Sequence, residues 1–136
     1  MPADYRLGPG HGVPAIAERL QAALPASRVV KALNTMGMEL FAYEAAALRA
    51  HRVSCFLAGD EAAAKAEVGD LAAAIGFVPV DCGPLAAARI LEGLGDFIRH
   101  VMAPMKHGFW ATISTADLPP VDTAPIGGRR SSLLRG

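Results

Sequence analysis

The sequence predicts an α/β protein in which a mostly parallel short sheet of about three strands is flanked by helices. Three apolar segments, at residues 28–33, 53–58 and 77–80, are each followed by a polar residue or a glycine. Apolar residues between them recur every three to four positions, as in amphipathic helices. Residues 53–81 have the size of one strand–helix–strand unit, so its two strands are expected to be parallel.

The composition is that of one domain with a sizeable core. The chain has 136 residues, 52% of them hydrophobic, and its 13 basic and 13 acidic residues give no net charge. Nothing therefore indicates binding to nucleic acid or to an anionic membrane. No signal peptide and no apolar run of about 18 residues is recognised, so a cytoplasmic location is expected. Cys55 and Cys82 lack zinc-site spacing and are expected to be small buried hydrophobes.

The first helix is predicted between Pro14 and Leu24, because apolar residues recur there at a spacing of four. A second helix is predicted after the strand at 53–58, with Asp60 as its N-cap and Gly76 as the glycine that ends it. The apolar stripe predicted for this second helix consists of Ala64, Val68, Leu71 and Ile75.

A further helix, predicted to begin at Pro84, carries the broadest apolar surface of the chain. Its apolar residues cover so much of the circumference that the helix should be deeply buried or shared with another subunit. Gly93 and Gly95 should weaken it, or else allow close backbone approach. The apolar residues are Ala87, Ile90, Leu91, Leu94, Phe97, Ile98 and Val101.

The domain organisation predicted from these patterns is simple. Residues 1–12 are a Gly- and Pro-rich irregular lead-in, and residues 13–107 form the folded unit, with a short helix within 37–50. Residues 108–136 are an uncertain segment followed by a tail that is expected to be flexible.

The candidate site lies where the first and third predicted strands end. Asn34 and Thr35 follow the first strand, and Gly83 and Pro84 follow the third. Because parallel strands end at a common edge, these residues are expected to line one ligand crevice, together with helix N–H groups after Pro84. Turn chemistry is the alternative, since Asn and Thr also bond their own backbone. Arg89 could bind an anion there or pair with Glu92.

Other chemistry finds no support in the sequence. Gly8, Gly10 and Gly12 have the spacing GxGxG and follow no buried strand, so they are not a dinucleotide fingerprint. The four histidines share no metal-ligand spacing, and no serine lies in a GxSxG elbow. His107 and Trp110 could close over a pocket, although a packing role is expected. We therefore predict no catalytic acid or base and no metal site.

Several short motifs within residues 12–107 occur in the order and at the spacing that are typical of one enzyme family. The chain resembles the carboxyl-terminal half of the NADP-dependent reductases that exchange hydride with the deazaflavin coenzyme. Related dinucleotide-binding oxidoreductases and the reductase domain of the STEAP metalloreductases share this half. The motifs are VVKALNT at 29–35, AGD at 58–60 with Ala64-Lys65, Gly76-Phe77, and DCGPL at 81–85 with Ala88-Arg89 and Glu92.

The resemblance implies a partial Rossmann-type fold and a site for NADP and a deazaflavin or flavin. It implies that Asn34, Thr35 and Met36 lie beside the nicotinamide and flavin-like rings. Gly83, Pro84 and Leu85 would then close the far side of the same site. The helix at 85–101 would form a homodimer surface.

The resemblance covers only the carboxyl-terminal half of such enzymes. It does not include the half with the glycine fingerprint, which holds the phosphates of NADP. The chain is therefore expected to bind NADP poorly by itself. A separate nucleotide-binding chain could complete the enzyme. The alternatives are a non-catalytic dimerisation or assembly module and a truncated fragment.

Overall fold

The computed structural model describes residues 13–119, which form a three-stranded sheet with helices on both faces. The helices are α1 (Ile16–Ala23), α2 (Ala45–Ala50), α3 (Ala62–Ala74) and α4 (Ala88–Met102). The strands are β1 (Val30–Lys31), β2 (Ser54–Gly59) and β3 (Val78–Asp81). Short 3₁₀ helices cover Met38–Ala42 and Leu85–Ala87. The predicted α/β class is confirmed, whereas the interpretations of the lead-in glycines and of residues 120–136 fall outside the described part.

The strand order is β1-β2-β3, and the two strand pairs differ in direction. β2 and β3 are parallel, as predicted, with Ser54 opposite Val78 and Leu57 opposite Asp81. β1 runs antiparallel to β2, with Lys31 opposite Ala58. The expectation that all three strands end at one edge is therefore wrong. An apolar run specifies a strand but not its direction, and β1 follows α1 after a short turn that sends it back along the sheet.

The alternation of side chains along β2 divides the core into two clusters, one on each face of the sheet. Phe56 and Ala58 pack with residues of α1 and α4, whereas Cys55 and Leu57 pack with residues of α2 and α3. Cys82 packs on the Phe56 side, so the two cysteines lie on opposite faces and both are free.

α3 packs on the first half of the predicted stripe, Ala64 and Val68, and on further small residues, but not on Leu71 and Ile75. Ala64, Gly69 and Ala72 are buried, whereas Leu71 and Ile75 are exposed. Small residues allow the helix axis to approach the sheet closely, so the large side chains are displaced to the flank of the helix. Gly76 ends α3 at a φ of +107°, as predicted.

α1 is attached to α4 through polar contacts, and its apolar stripe is left outside the core. The Arg89 guanidinium donates two hydrogen bonds to Glu18, at 2.7 and 2.8 Å. The carboxylate of Glu92 accepts the N–H groups of Ile16 and Ala17 at the start of α1. The suggested pairing of Arg89 with Glu92 is therefore wrong. Within residues 13–119, no helix has both the length and the apolarity that crossing a bilayer requires.

Candidate functional site

The corner at the carboxyl ends of β2 and β3 is held together by its own side chains. Gly83 has a φ of +93°, and its carbonyl accepts the Gly59 N–H at 3.1 Å. Asp60 accepts the Leu85 N–H at 2.8 Å, so it caps the helical segment after Pro84 rather than α3. A carboxylate already at this helix start disfavours a phosphate there, because the two anions would repel.

Lys65 and Asp81 complete this corner. The Lys65 ammonium donates to the Asp81 carboxylate at 2.9 Å and to the Gly83 carbonyl at 3.2 Å. The Lys65 hydrogen bond holds the pKa of Asp81 below its ordinary value, with a smaller contribution from the Gly83 N–H. Asp81 is therefore a turn-forming residue, because its carboxylate also accepts the Gly83 N–H at 2.8 Å.

Asn34 lies against α4 and not at this corner. Its Nδ2 donates to the Leu91 carbonyl at 2.7 Å. Its Oδ1 is buried and, among the described residues, has no hydrogen-bond partner. The close approach requires a glycine at position 95, because a Cβ there would lie 2.9 Å from Nδ2 and 3.0 Å from the carbonyl oxygen of Asn34. Gly95 therefore allows the close approach considered from the sequence, whereas a Cβ on Gly93 would meet nothing within 4 Å.

Thr35 and Met36 point into the protein. Thr35 is 2% exposed, and Met36 packs against the cluster that contains Leu40 and Leu48. Leu33 has a φ of +56°, which turns the chain after β1. Burial raises the pKa of the Cys55 thiol, and the nearby Leu33 N–H opposes this effect. The segment at 33–36 is therefore level with the start of β2.

The two groups of predicted site residues consequently lie towards opposite ends of the sheet. Gly83 bonds to Gly59 at the end of β2, whereas Leu33 contacts Cys55 near its start. Four residues separate Cys55 from Gly59, which is about 13 Å at the rise of a strand. The single crevice expected from the sequence, with Asn34, Thr35 and Met36 on one side and Gly83, Pro84 and Leu85 on the other, is contradicted by this register.

A cleft of about 270 Å³ lies beside Asn34. The ammonium of Lys31 lies 3.7 Å from the carboxylate of Glu92, and both side chains are mostly buried. Asp96 and Arg99 form an exposed ion pair at its rim. The remaining lining residues are Ile16 and Gly95. The cleft thus offers an amide, one mostly buried ion pair and an apolar wall, which suit binding and orientation of a polar ring.

Lys31 and Glu92 line this cleft although the sequence did not predict them as site residues. A lysine within an apolar strand was the available signal, because a charge in a half-buried strand usually has a partner. The sequence does not identify Glu92 as the partner of Lys31, because their contact depends on the packing of α4 against the start of α1. Within residues 13–119, no group of three or more His, Cys, Asp or Glu side chains could hold a metal ion.

A second cavity, of about 320 Å³, lies at the start of β2. Trp110 and Tyr43 form its walls, and Leu40, Leu48 and Val53 form its apolar floor. Trp110 lines this cavity as suggested from the sequence, whereas His107 is not among its lining residues.

Two known proteins that are similar to this chain are described as reductases. No protein-family model matches the sequence. The metalloreductase STEAP3 of Rattus norvegicus is 38% identical over 78 residues, which are 57% of this chain and 15% of the rat protein. A provisional F420-dependent NADP reductase from Arthrobacter sp. FB24, solved by crystallography, is 30% identical with a TM-score of 0.63. That match covers 74% of this chain and 45% of the Arthrobacter protein.

The chain therefore spans less than half the length of either similar protein. The similarity to both confirms the predicted resemblance to this group of reductases and, with the sheet and its flanking helices, the Rossmann-like α/β fold.

Proposed function

We propose that this chain is the acceptor-side part of an NAD(P)-dependent oxidoreductase that transfers hydride between nicotinamide and a flavin-like or deazaflavin acceptor. The observation that carries the proposal is the 30% identity and the TM-score of 0.63 to a protein described as an F420-dependent NADP reductase. The polar cleft beside Asn34 supports it, because hydride transfer between two cofactors needs orientation and exclusion of water rather than an acid or base.

Within this proposal, Asn34 and its neighbours Thr35 and Met36 form the binding site of the nicotinamide and the flavin-like ring. Lys31 and Glu92 supply the charged wall of the cleft. The corner of Gly83, Pro84 and Leu85 lies about 13 Å along the sheet from the level of Leu33. Lys31, by contrast, pairs with Ala58 and lies close to the level of that corner. A ligand that contacts both regions must be extended, as a dinucleotide is and a single ring is not.

The 136 residues contain no GxGxxG sequence, so the chain by itself should bind NADPH weakly. A titration of the chain with NADPH, followed by quenching of its one tryptophan, tests this expectation. Hydride transfer should be seen when a separate nucleotide-binding α/β chain is added together with a deazaflavin. Lys31→Met should lower the rate of hydride transfer. Arg52→Met removes a positive charge at an exposed position outside the cleft and should leave that rate unchanged. Equal rates of hydride transfer in both variants would contradict the proposal that the cleft binds the transferring rings.

One observation favours the alternative, a dimerisation or assembly module. At 100° per residue, α4 carries a second apolar stripe on the flank opposite to the residues that bind α1. Phe97 in this stripe is 55% exposed. The other members are Ile90, Leu94 and Val101, all half-buried. This stripe falls within the helix at 85–101 that the resemblance implies for a homodimer.

Sedimentation equilibrium distinguishes the two functions. A module predicts a stable dimer that Phe97→Glu dissociates, with no reductase activity in any mixture. The oxidoreductase predicts hydride transfer in the presence of the completing chain, whether or not the dimer forms. Arg99→Glu, an exposed charge change on the other flank of α4, is the matched control for sedimentation only, because Arg99 also lies at the rim of the cleft.

A further inference from the structure

The cavity beside Trp110 and the cleft beside Asn34 lie on different faces of the sheet. The floor of the cavity belongs to the cluster that packs between the sheet and the helices α2 and α3. The cleft is lined by residues of α1 and α4, which cover the other face. The two sites have no lining residue in common. The proposed hydride transfer therefore gives no role to the cavity, which has a volume of about 320 Å³.

The chain that follows Trp110 is bonded to the start of β2. The Ile113 carbonyl accepts the Ser54 N–H at 3.0 Å. The Ser54 hydroxyl in turn accepts the Thr115 N–H at 3.1 Å. Because Ser54 is buried, both bonds are shielded from water. They fix the part of the cavity wall that lies after Trp110.

The chain that precedes Trp110 is held against two other elements. The Gly108 N–H donates to the carbonyl of Met102, the last residue of α4, at 2.9 Å. The Phe109 carbonyl lies so close to Gly37 that a Cβ at position 37 would be 2.5 Å from its oxygen. Trp110 is nevertheless 60% exposed. A large aromatic side chain is thus held in the wall of the cavity by a backbone that is fixed on both sides, and it is not used to cover the core.

The lining of the cavity is apolar with a few hydrogen-bonding groups. It contains no carboxylate, lysine or arginine, so an ionised ligand would lose its hydration without gaining a charged partner. Four side chains have a polar end that can form a hydrogen bond: Tyr43, His51, Trp110 and Thr112. Within residues 13–119, the only bond from these four polar ends joins the Thr112 hydroxyl to the Ile113 carbonyl, at 3.5 Å. The lining therefore suits a neutral ligand with a hydrogen-bonding group.

The volume of the cavity and its aromatic walls limit the ligand further. Small-molecule sites usually measure about 300–1,000 Å³. A cavity of about 320 Å³ therefore accepts one or two fused rings and not a dinucleotide. The rings of Tyr43 and Trp110 favour a planar aromatic ligand, because contacts between aromatic rings are stronger than their buried area alone implies.

We propose that this cavity is a binding site for a neutral aromatic molecule of one or two rings that carries a hydroxyl or a similar small polar group. Its rings contact Tyr43 and Trp110, and its polar group bonds to one of the free polar ends of the lining. The proposal goes beyond the proposed function, because the site lies outside the cleft and needs neither NADP nor a completing chain.

Nuclear magnetic resonance of the 136-residue chain tests the site with naphthol as the probe. The chain has one tryptophan, so the indole N–H of Trp110 gives a single cross-peak in the nitrogen–proton correlation spectrum. Naphthol should shift this cross-peak until the site is saturated, while the amide signals of Lys31 and Gly95 in the cleft stay unchanged. Decalol has the same carbon skeleton and hydroxyl group but is neither planar nor aromatic. It should bind about tenfold more weakly, because both aromatic contacts are weakened.

Two pairs of variants locate the site. Ala47→Phe fills the cavity and should weaken naphthol binding by at least about tenfold, whereas Ala46→Phe, at the next and exposed position of α2, lies outside the cavity and should bind as the wild type does. Trp110→Ala removes an exposed wall, so the chain should fold normally and still lose about tenfold in affinity, measured by calorimetry. Phe109→Ala, a neighbouring exposed aromatic residue outside the lining, is its control.

Three results would overturn the proposal. These are an unchanged Trp110 cross-peak with naphthol present, equal affinities for naphthol and decalol, and an equal loss of affinity in both members of a variant pair. Naphthol binding at the cavity without hydride transfer in any mixture would refute the proposed function and support this site. Hydride transfer without naphthol binding would do the reverse.

Discussion

The close contact between Asn34 and α4 can be tested with two substitutions in the same helix. In Gly95→Ala, the new methyl group would lie 2.9 Å from Nδ2 and 3.0 Å from the carbonyl oxygen of Asn34. The first distance is shorter than a Cβ atom tolerates and the second is unusually tight, so the Asn34 segment or the helix must move. In Gly93→Ala, the methyl group would meet nothing within 4 Å.

The expected magnitudes follow from two opposing effects. Replacing glycine by alanine inside a helix stabilises it by about 1 kcal/mol, and this gain applies equally to both variants. Overpacking at position 95 should cost about 1–3 kcal/mol. Gly93→Ala is therefore expected to be more stable than the wild type, and Gly95→Ala should fall about 1–3 kcal/mol below Gly93→Ala.

Urea unfolding followed by circular dichroism measures both free energies of unfolding. The slope of the transition should be the same in all three proteins, because the surface exposed on unfolding hardly changes. The two variants being equally stabilised would refute the contact between Gly95 and Asn34. It would mean that the segment after β1 does not pack on α4 as described.

Three further predictions concern single polar contacts. Asn34→Asp should destabilise the fold by about 2–4 kcal/mol at neutral pH, because a carboxylate then faces the Leu91 carbonyl without a donor; unfolding in urea measures this. Asp60→Ala should cost about 1 kcal/mol, because the Leu85 N–H loses its acceptor, and thermal unfolding should show the loss. Glu18→Gln should be less stable than the wild type at neutral pH and equally stable in acid. The Arg89 hydrogen bonds hold the pKa of Glu18 below its ordinary value of 4.5, so the stabilisation is complete above that pH and is lost as the pH falls through the lower pKa of the folded state.

Each of these predictions has its own control. For Asn34→Asp, the loss should shrink in acid, where the protonated carboxyl can donate, and a loss independent of pH would contradict the reasoning. Glu61→Ala removes a neighbouring exposed carboxylate and should change stability by less than Asp60→Ala does. A difference between wild type and Glu18→Gln that persists at pH 2 would show that the ion pair is not its cause.

Several features of the fold could be predicted because they depend on local patterns. The helix in Ile16–Ala23, the parallel pair of β2 and β3 and the glycine that ends α3 each follow from residues close in sequence. Local hydrogen bonding and side-chain periodicity determine such elements.

The errors concern residues whose partners are distant in sequence. The stripe through Leu71 and Ile75 is periodic, yet α3 packs on its small residues because a closer approach to the sheet is available there. Asp60 precedes α3 but caps the segment at Leu85, because β2 ends beside it. No spacing in the sequence encodes either choice.

The sequence by itself determined the fold class, the order of the elements and the resemblance to NADP-dependent reductases, since these follow from apolar periodicity and short motifs. The tertiary structure decided where the predicted site residues lie. Because β1 pairs antiparallel with β2, Asn34 is carried to the end of the sheet opposite to Gly83. The direction of a strand is set by how the whole chain packs, and the residues of that strand do not record it.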